Sequence, residues 1–339
     1  MNEIITIGLD LAKNVFQLHG VDAAGAAILR RRVTRAQMLK TFANLKPCLV
    51  GMEACGSAHY WARELAALGH EVKLMPPVYV KPYVKRGKSD AADAEAICEA
   101  VRRPSMRFVP VKSPVAQATL SLHKVRNRFV EQRTQTANTL RSLMSEFGVI
   151  ACQGVASVHK AWAALVPDAL PAMAMAALSQ LAAALDDLEM RIGVLDKEIL
   201  SAVRANPVCA RLQTIPGVGP ITASALAAYV PDAGVFASAR DFAAWTGLTP
   251  RQNSSGGKER LGSISKQGNQ DLRRLLTMGA TSVFRHAAKQ DGALGRWLRA
   301  LAQRKPARVA ITAFANKLAR IAWVLMARGE TYRARATVA

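Results

Sequence analysis

Two short apolar runs, each ending in an acid, constrain the fold more than anything else in the chain. Residues 4–9 (Ile4, Ile5, Thr6, Ile7, Gly8, Leu9) deliver Asp10, and residues 48–52 deliver Glu53. Apolar runs this short, bounded by turn residues, read as buried strands. An acid just past a buried strand lies at the edge of a sheet, and crevices outside strand ends are where open sheets bind ligands. Around these runs the first 110 residues read β-β-β-α-β-α-β-α. Strands are expected at 4–9, 15–21, 27–33, 48–52 and 70–75. Helices are expected from about Thr34, from Gly56 and Ser57 to Leu68, and from Asp90 to about Arg103. The expectation is a mixed sheet of α/β class.

The last of these helices opens with Lys88-Ser-Asp-Ala-Ala-Asp-Ala-Glu, which sets Asp90 and Asp93 one turn apart on one face. One reading makes Asp90 the cap and Asp93 a favourable first-turn charge. The other joins them to Asp10 and Glu53. Two bare carboxylates about 4 Å apart repel by roughly 4 kcal/mol at an effective dielectric near 20, so such a group protonates or binds a divalent cation. All-oxygen ligands select Mg²⁺, or Mn²⁺, over zinc. Two such ions polarise a phosphodiester and stabilise both the attacking and the leaving oxygen.

Charge names the partner. The 46 Lys and Arg against 24 acids give +22, which calls for a polyanion, nucleic acid before membrane. The region from Arg251 onward holds 18 basic residues against 4 acidic ones, so much of the phosphate contact is expected there. Candidate contacts nearer the N-terminus are Lys13, Lys85, Arg86 and Lys88, with Arg126 and Arg128 on a long basic helix over residues 113–147. No apolar run of 18 residues and no basic leader are read, so the expectation is a cytoplasmic, nucleoid-associated protein without a membrane partner. Five cysteines without a C-x-x-C pair read as reduced thiols.

Leu178, Leu181, Leu185, Leu188, Ile192, Leu195 and Ile199 repeat with alternating spacings of three and four, a coiled-coil seam. It suits either the helix at 113–147 or the same segment of a second subunit. Residues 212–230 read as a helix-hairpin-helix element. Gly217 and Gly219 permit the hairpin there, and Pro220 opens a helix whose N-terminal N–H groups suit a phosphate. Farther on, Ser254, Ser255, Gly256 and Gly257 sit in a loop among Arg251, Lys258 and Arg260, with Lys266, Arg273 and Arg274 extending the patch. Such a run is commonly a turn. A hydroxyl among cations is also what a phosphoryl-transfer nucleophile needs.

In this order, Gly8-Leu-Asp-Leu-Ala-Lys, Glu53-Ala-Cys-Gly, Lys88-Ser-Asp-Ala-Ala-Asp-Ala, Ile215-Pro-Gly-Val-Gly, and Gly247-Leu-Thr-Pro-Arg through Ser255-Gly-Gly-Lys resemble the DEDD transposases of bacterial insertion sequences. These are the bridge-RNA-guided serine recombinases, related to pilin-gene invertases. The resemblance covers nearly the whole chain. It implies a RuvC-like, RNase H-fold domain at 1–112 with Asp10, Glu53, Asp90 and Asp93 as its Mg²⁺-binding tetrad. It implies a coiled-coil dimerisation segment at 113–205, a mostly α transposase domain at 206–330 with Ser255 as catalytic serine, and a tail at 331–339. It also implies a 5′-phosphoserine intermediate on donor and target double-stranded DNA, a noncoding bridge RNA, and dimers that pair into a tetramer. Two other readings compete: a RuvC-like junction nuclease in which water replaces the serine, and a non-enzymatic architectural DNA-binding protein.

Overall fold

The computed structural model describes residues 3–85, 87, 89–166, 169–286 and 292–333. It divides into two compact units, Met1–Pro114 and Val115–Ala339.

Unit 1 is built on a five-stranded sheet of order β3-β2-β1-β4-β5. β1 (Thr6–Asp10), β2 (Val15–Val21) and β3 (Ala27–Thr34) form an antiparallel meander. A 3-10 turn (Arg35–Gln37) and α1 (Met38–Ala43) then lead to β4 (Leu49–Glu53), which pairs parallel with β1. α2 (Ala58–Ala67) carries the chain to β5 (Glu71–Met75), parallel to β4. After the short α3 (Pro77–Val80) comes α4 (Asp90–Val101). This is the mixed α/β sheet that the sequence predicts, in the RNase H-like order that fits the fold implied by the resemblance. One face packs Ile7, Leu9, Leu18, Val50 and Met52 against Met38 and Phe42 of α1 and Trp61 and Leu65 of α2. Met75 packs with Val80 of α3 and with Ala96, Ile97 and Val101 of α4 on the other face.

Glycine sets how closely α4 lies on the sheet. A Cβ at Gly8 would stand 2.1 Å from the Ala94 carbonyl oxygen and 2.4 Å from the Cys98 nitrogen, and one at Gly51 would meet the Val101 Cβ at 2.7 Å. The helix backbone therefore rests directly on β1. Its cap is Ser89 rather than Asp90: Ser89 is extended (φ −151°, ψ 148°), and its hydroxyl accepts from the Ala92 N–H at 3.3 Å. A serine in extended backbone just ahead of the first turn takes the capping bond, which leaves the Asp90 side chain out of that role.

Unit 2 is mostly helical. α5 (Pro114–Ser145) and α7 (Ala172–Arg204) run antiparallel, with α6 (Val155–Ala163) beside them, in a stretch that the sequence leaves unplaced. Leu178, Ala182 and Leu185 of α7 pack on Ala137, Leu140 and Met144 of α5 and Val158 of α6, so this part of the seam is filled within the subunit. Farther along α7, Ile199 and Val203 join a second core. That core is built from α8 (Pro207–Gln213), α9 (Pro220–Tyr229), α10 (Ala239–Trp245), α11 (Gln270–Arg285), α12 (Gly292–Arg304) and α13 (Ala307–Arg328). α13 has the length and composition to cross a membrane. Here its Phe314, Ala315, Leu318, Ala319 and Ala322 are wholly buried in the core. Between α10 and α11, β6 (Pro250–Gln252) and β7 (Leu261–Ile264) form an antiparallel hairpin where sequence suggests only a loop. Its strands are too short and too polar to show a period.

Candidate metal centre and nucleic-acid interface

β1 and β4 are parallel and in register, Leu9 opposite Met52, so Asp10 and Glu53 leave the sheet side by side at its C-terminal edge. α4 crosses β1 with its first turn toward that edge, and both Asp90 and Asp93 sit in this turn. The charges feel one another. Asp10, half-buried, has its carboxyl pushed up to about 6, first by burial and then by the negative charges of Asp93 and Asp90. Burial, Asp10 and Asp93 raise Glu53 in the same direction.

Proximity of this kind falls short of a closed ligand cage: among the described residues no three acidic, histidine or cysteine groups enclose a metal position. The donor chemistry nevertheless fits a hard divalent cation, because all four groups are carboxylates. A cation there would also relieve the repulsion that raises Asp10. The sequence gives little hint of Gly8, the residue on which this approach depends, beyond the fact that glycine inside a strand marks close backbone contact.

In unit 2 the serine loop is a hairpin tip. The Lys258 N–H donates to the Ser255 carbonyl at 3.1 Å, and Gly256 (φ 56°) and Gly257 (φ 78°) occupy the turn between them. Two positive φ values in a row define the tight turn that suits a hairpin and requires glycine. The two serines differ. The Ser254 hydroxyl accepts from the Arg260 N–H at 3.1 Å, whereas the exposed Ser255 hydroxyl has no hydrogen-bond partner among the described residues. Lys258 and Arg260 are exposed beside it. Arg251 braces the hairpin through the Ser265 carbonyl at 3.3 Å. Lys266, in left-handed backbone (φ 55°), and Arg273 close its root, Arg273 donating to the carbonyls of Thr246 and Gln267 at 3.0 Å each.

Other predicted contacts have structural tasks. Arg126 forms a two-pronged ion pair with Asp196 that ties α5 to α7. Arg274 donates to Asn127 at 2.6 Å, and Lys85 pairs with Glu95 at 2.5 Å. Lys13 is exposed in the β1–β2 turn, and Arg128 is exposed near Glu131. Arg86 and Lys88 lie outside the described residues. In the helical hairpin, Gly217 (φ 86°) packs backbone to backbone on Gly279 of α11, while Gly219 at the start of α9 is exposed with open space around it.

A five-stranded sheet of this order with paired carboxylates at one edge, followed along the chain by a basic helical region, defines a class of nucleic-acid-processing enzyme. Residues 7–148 match a DEDD-type transposase model, and residues 209–294 match the model described as transposase IS116/IS110/IS902 family. The chain is 52% identical over 331 residues to a probable family 20 transposase of Pseudomonas aeruginosa, with 96% of this chain and 98% of that protein covered. It is also 41% identical to the transposase for insertion sequence element IS1111A of Coxiella burnetii (98% and 92% covered). The transposase for insertion sequence element IS1328 of Yersinia enterocolitica is 40% identical (98% and 99% covered). The chain belongs to the IS110 family of insertion-sequence transposases. It is a DNA phosphoryl-transfer enzyme, and its DEDD-type N-terminal region implies use of a divalent metal.

Proposed function

We propose that the protein is a Mg²⁺-dependent serine recombinase that cuts and rejoins DNA through a 5′-phosphoserine, guided by a noncoding bridge RNA. Asp10, Glu53, Asp90 and Asp93 hold the metal. The observation that carries this reading is the gathering of these carboxylates at one sheet edge, where burial first, and then the charges of Asp93 and Asp90, push Asp10 up to about 6. When bound, Mg²⁺, or Mn²⁺ in its place, supplies Lewis-acid stabilisation of the phosphoryl oxygens. Ser255 is the nucleophile. Its hydroxyl gives up a proton and its oxygen bonds to phosphorus; the bond to the 3′ oxygen breaks, and that oxygen leaves as a 3′-hydroxyl. Lys258 and Arg260, exposed on the same hairpin, offset charge that develops on the phosphoryl group. The partnerless Ser255 hydroxyl favours it over Ser254, whose hydroxyl is committed to the hairpin. Residues 1–112 act as the RuvC-like domain, 113–205 as the dimerisation segment and 206–330 as the serine domain, in a cytoplasmic, nucleoid-associated dimer that forms tetramers on two DNAs. Met190 and Val194, exposed on α7 away from the filled seam, offer apolar surface for such pairing.

Trapping on a nicked substrate with Mg²⁺ tests the assignment. The wild type and Ser254→Ala are expected to give a protein–DNA adduct on a denaturing gel, and Ser255→Ala none. An adduct that persists in Ser255→Ala refutes the nucleophile. Cleavage without any adduct favours the nuclease reading, and Asp90→Asn that still cuts DNA refutes the tetrad.

A further inference from the structure

The sheet register extends the acidic edge to a strand that the function above leaves idle. Asp10 of β1 pairs with Gln17 of β2, and Gln17 with Arg32 of β3; Gly8, His19 and Arg30 form the next row. Residues paired across neighbouring strands share a face. Gly8 lies under α4, so Asp10, Gln17 and Arg32 line the α4 face, as do His19 and Arg30. With strands about 4.8 Å apart, the Arg32 backbone stands about 10 Å from that of Asp10. α4 packs on β1, β2 and β4, whereas Arg30 and Arg32 on the edge strand are exposed. The result is an open cationic shelf level with the carboxylates.

Edge strands commonly carry a charge that blocks pairing with another chain, and for that purpose one arginine suffices. β3 carries Arg30, Arg31 and Arg32 in succession. Arg30 lies in the field of Glu95, which is already paired with Lys85; Arg31 and Arg32 have no carboxylate partner among the described residues. A guanidinium that lacks a carboxylate partner is neutralised by a polyanion, and its fork geometry matches phosphate oxygens. Gln17, between Asp10 and Arg32, adds both a donor and an acceptor.

We propose that Arg32 and Arg30, with Gln17, form a phosphate shelf that grips the DNA strand next to the phosphate presented to the carboxylates. The proposal rests on the metal-site reading for what the shelf serves, but its test does not. Binding of the full-length protein to a labelled DNA duplex, without divalent metal, is followed by fluorescence anisotropy over a range of salt. Each phosphate contact contributes about 0.9 to the slope of log K against log salt, so Arg30→Gln/Arg32→Gln is expected to flatten it by about 1.8. Arg31→Gln, whose side chain belongs to the opposite face, is expected to leave the slope unchanged. An unchanged slope in the double variant, an equal fall in Arg31→Gln, or a fall seen only with an RNA of the same length overturns the shelf. Cleavage by Asp90→Asn, measured separately, strikes the metal reading and leaves the slope to decide the shelf.

Discussion

Replacing Gly8 by alanine tests directly whether the closeness of α4 to β1 makes the site. The new Cβ would lie 2.1 Å from the Ala94 oxygen, 2.4 Å from the Cys98 nitrogen and 2.7 Å from the Cys98 Cβ. A carbon and a non-bonded oxygen need roughly 3.2 Å or more, so α4 must withdraw by about 1 Å, because interiors packed to crystal density have no slack to absorb the overlap. The two nearest obstacles are backbone atoms and the third is a Cβ fixed to the backbone, so rotamer changes cannot relieve any of them. Overpacking of this kind costs about 1–3 kcal/mol. The same withdrawal carries Asp90 and Asp93 away from Asp10 and Glu53, and a displacement near 1 Å at a reacting centre lowers rates by about 10²-fold. Gly51→Ala is the matched control. Its Cβ meets the Val101 side chain at 2.7 Å, at the far end of α4 from the carboxylates. It is expected to lose stability while keeping most of its cleavage rate. Urea unfolding followed by circular dichroism, with metal-dependent cleavage of a DNA substrate, separates the two effects. Gly8→Ala with wild-type cleavage and stability would refute the reasoning; equal losses of cleavage in both variants would show that general destabilisation, rather than displacement of the acids, is responsible.

Two further outcomes concern unit 2. His123 is buried, with Nε2 3.0 Å from the Ser224 hydroxyl, and burial, aided by the positive charge of Arg126, holds its pKa down at about 4. The unfolded chain takes up this proton near pH 6.5 and the folded one does not, so stability is full above about pH 6.5 and falls toward about pH 4, by roughly 3 kcal/mol. Urea unfolding at pH 7.5 and pH 5 should show a smaller difference in His123→Gln than in the wild type; an equal difference refutes the assignment. At the helical hairpin, Gly279→Ala would put a Cβ 2.0 Å from the Gly217 oxygen, whereas Gly219→Ala meets open space. Gly279→Ala should cost about 1–3 kcal/mol and Gly219→Ala under about 0.5 kcal/mol in thermal unfolding; similar melting temperatures would contradict the packing.

The strands and the two strand-end acids are legible in the sequence because apolar runs ending in a charge leave few alternatives. Register is not legible there, and register is what places Arg32 level with Asp10. The Asp90 helix is legible as well, but its cap moves to Ser89, since a serine ahead of an aspartate offers the same chemistry one residue earlier. Arg126 looks like any cation on a basic helix until Asp196, 70 residues farther on, is brought beside it. The β6–β7 hairpin is hidden by composition, because glycine, serine and charge are alike in loops and in short polar ribbons. The seam of α7 is plain in the sequence, whereas the choice of α5 as its partner depends on long-range packing.

α7 has a mechanical meaning of its own. It is one unbroken helix of 33 residues, about 50 Å long at 1.5 Å per residue. Leu178 and Leu185 are anchored in one core and Ile199 and Val203 in another. A rod clamped at both ends works as a lever: a tilt imposed where Met190 and Val194 face outward cannot be absorbed by a loop and is delivered to the core that carries the serine hairpin. Gly193, between the two members of that exposed pair, is the glycine in α7, so whatever bending the lever permits is concentrated there.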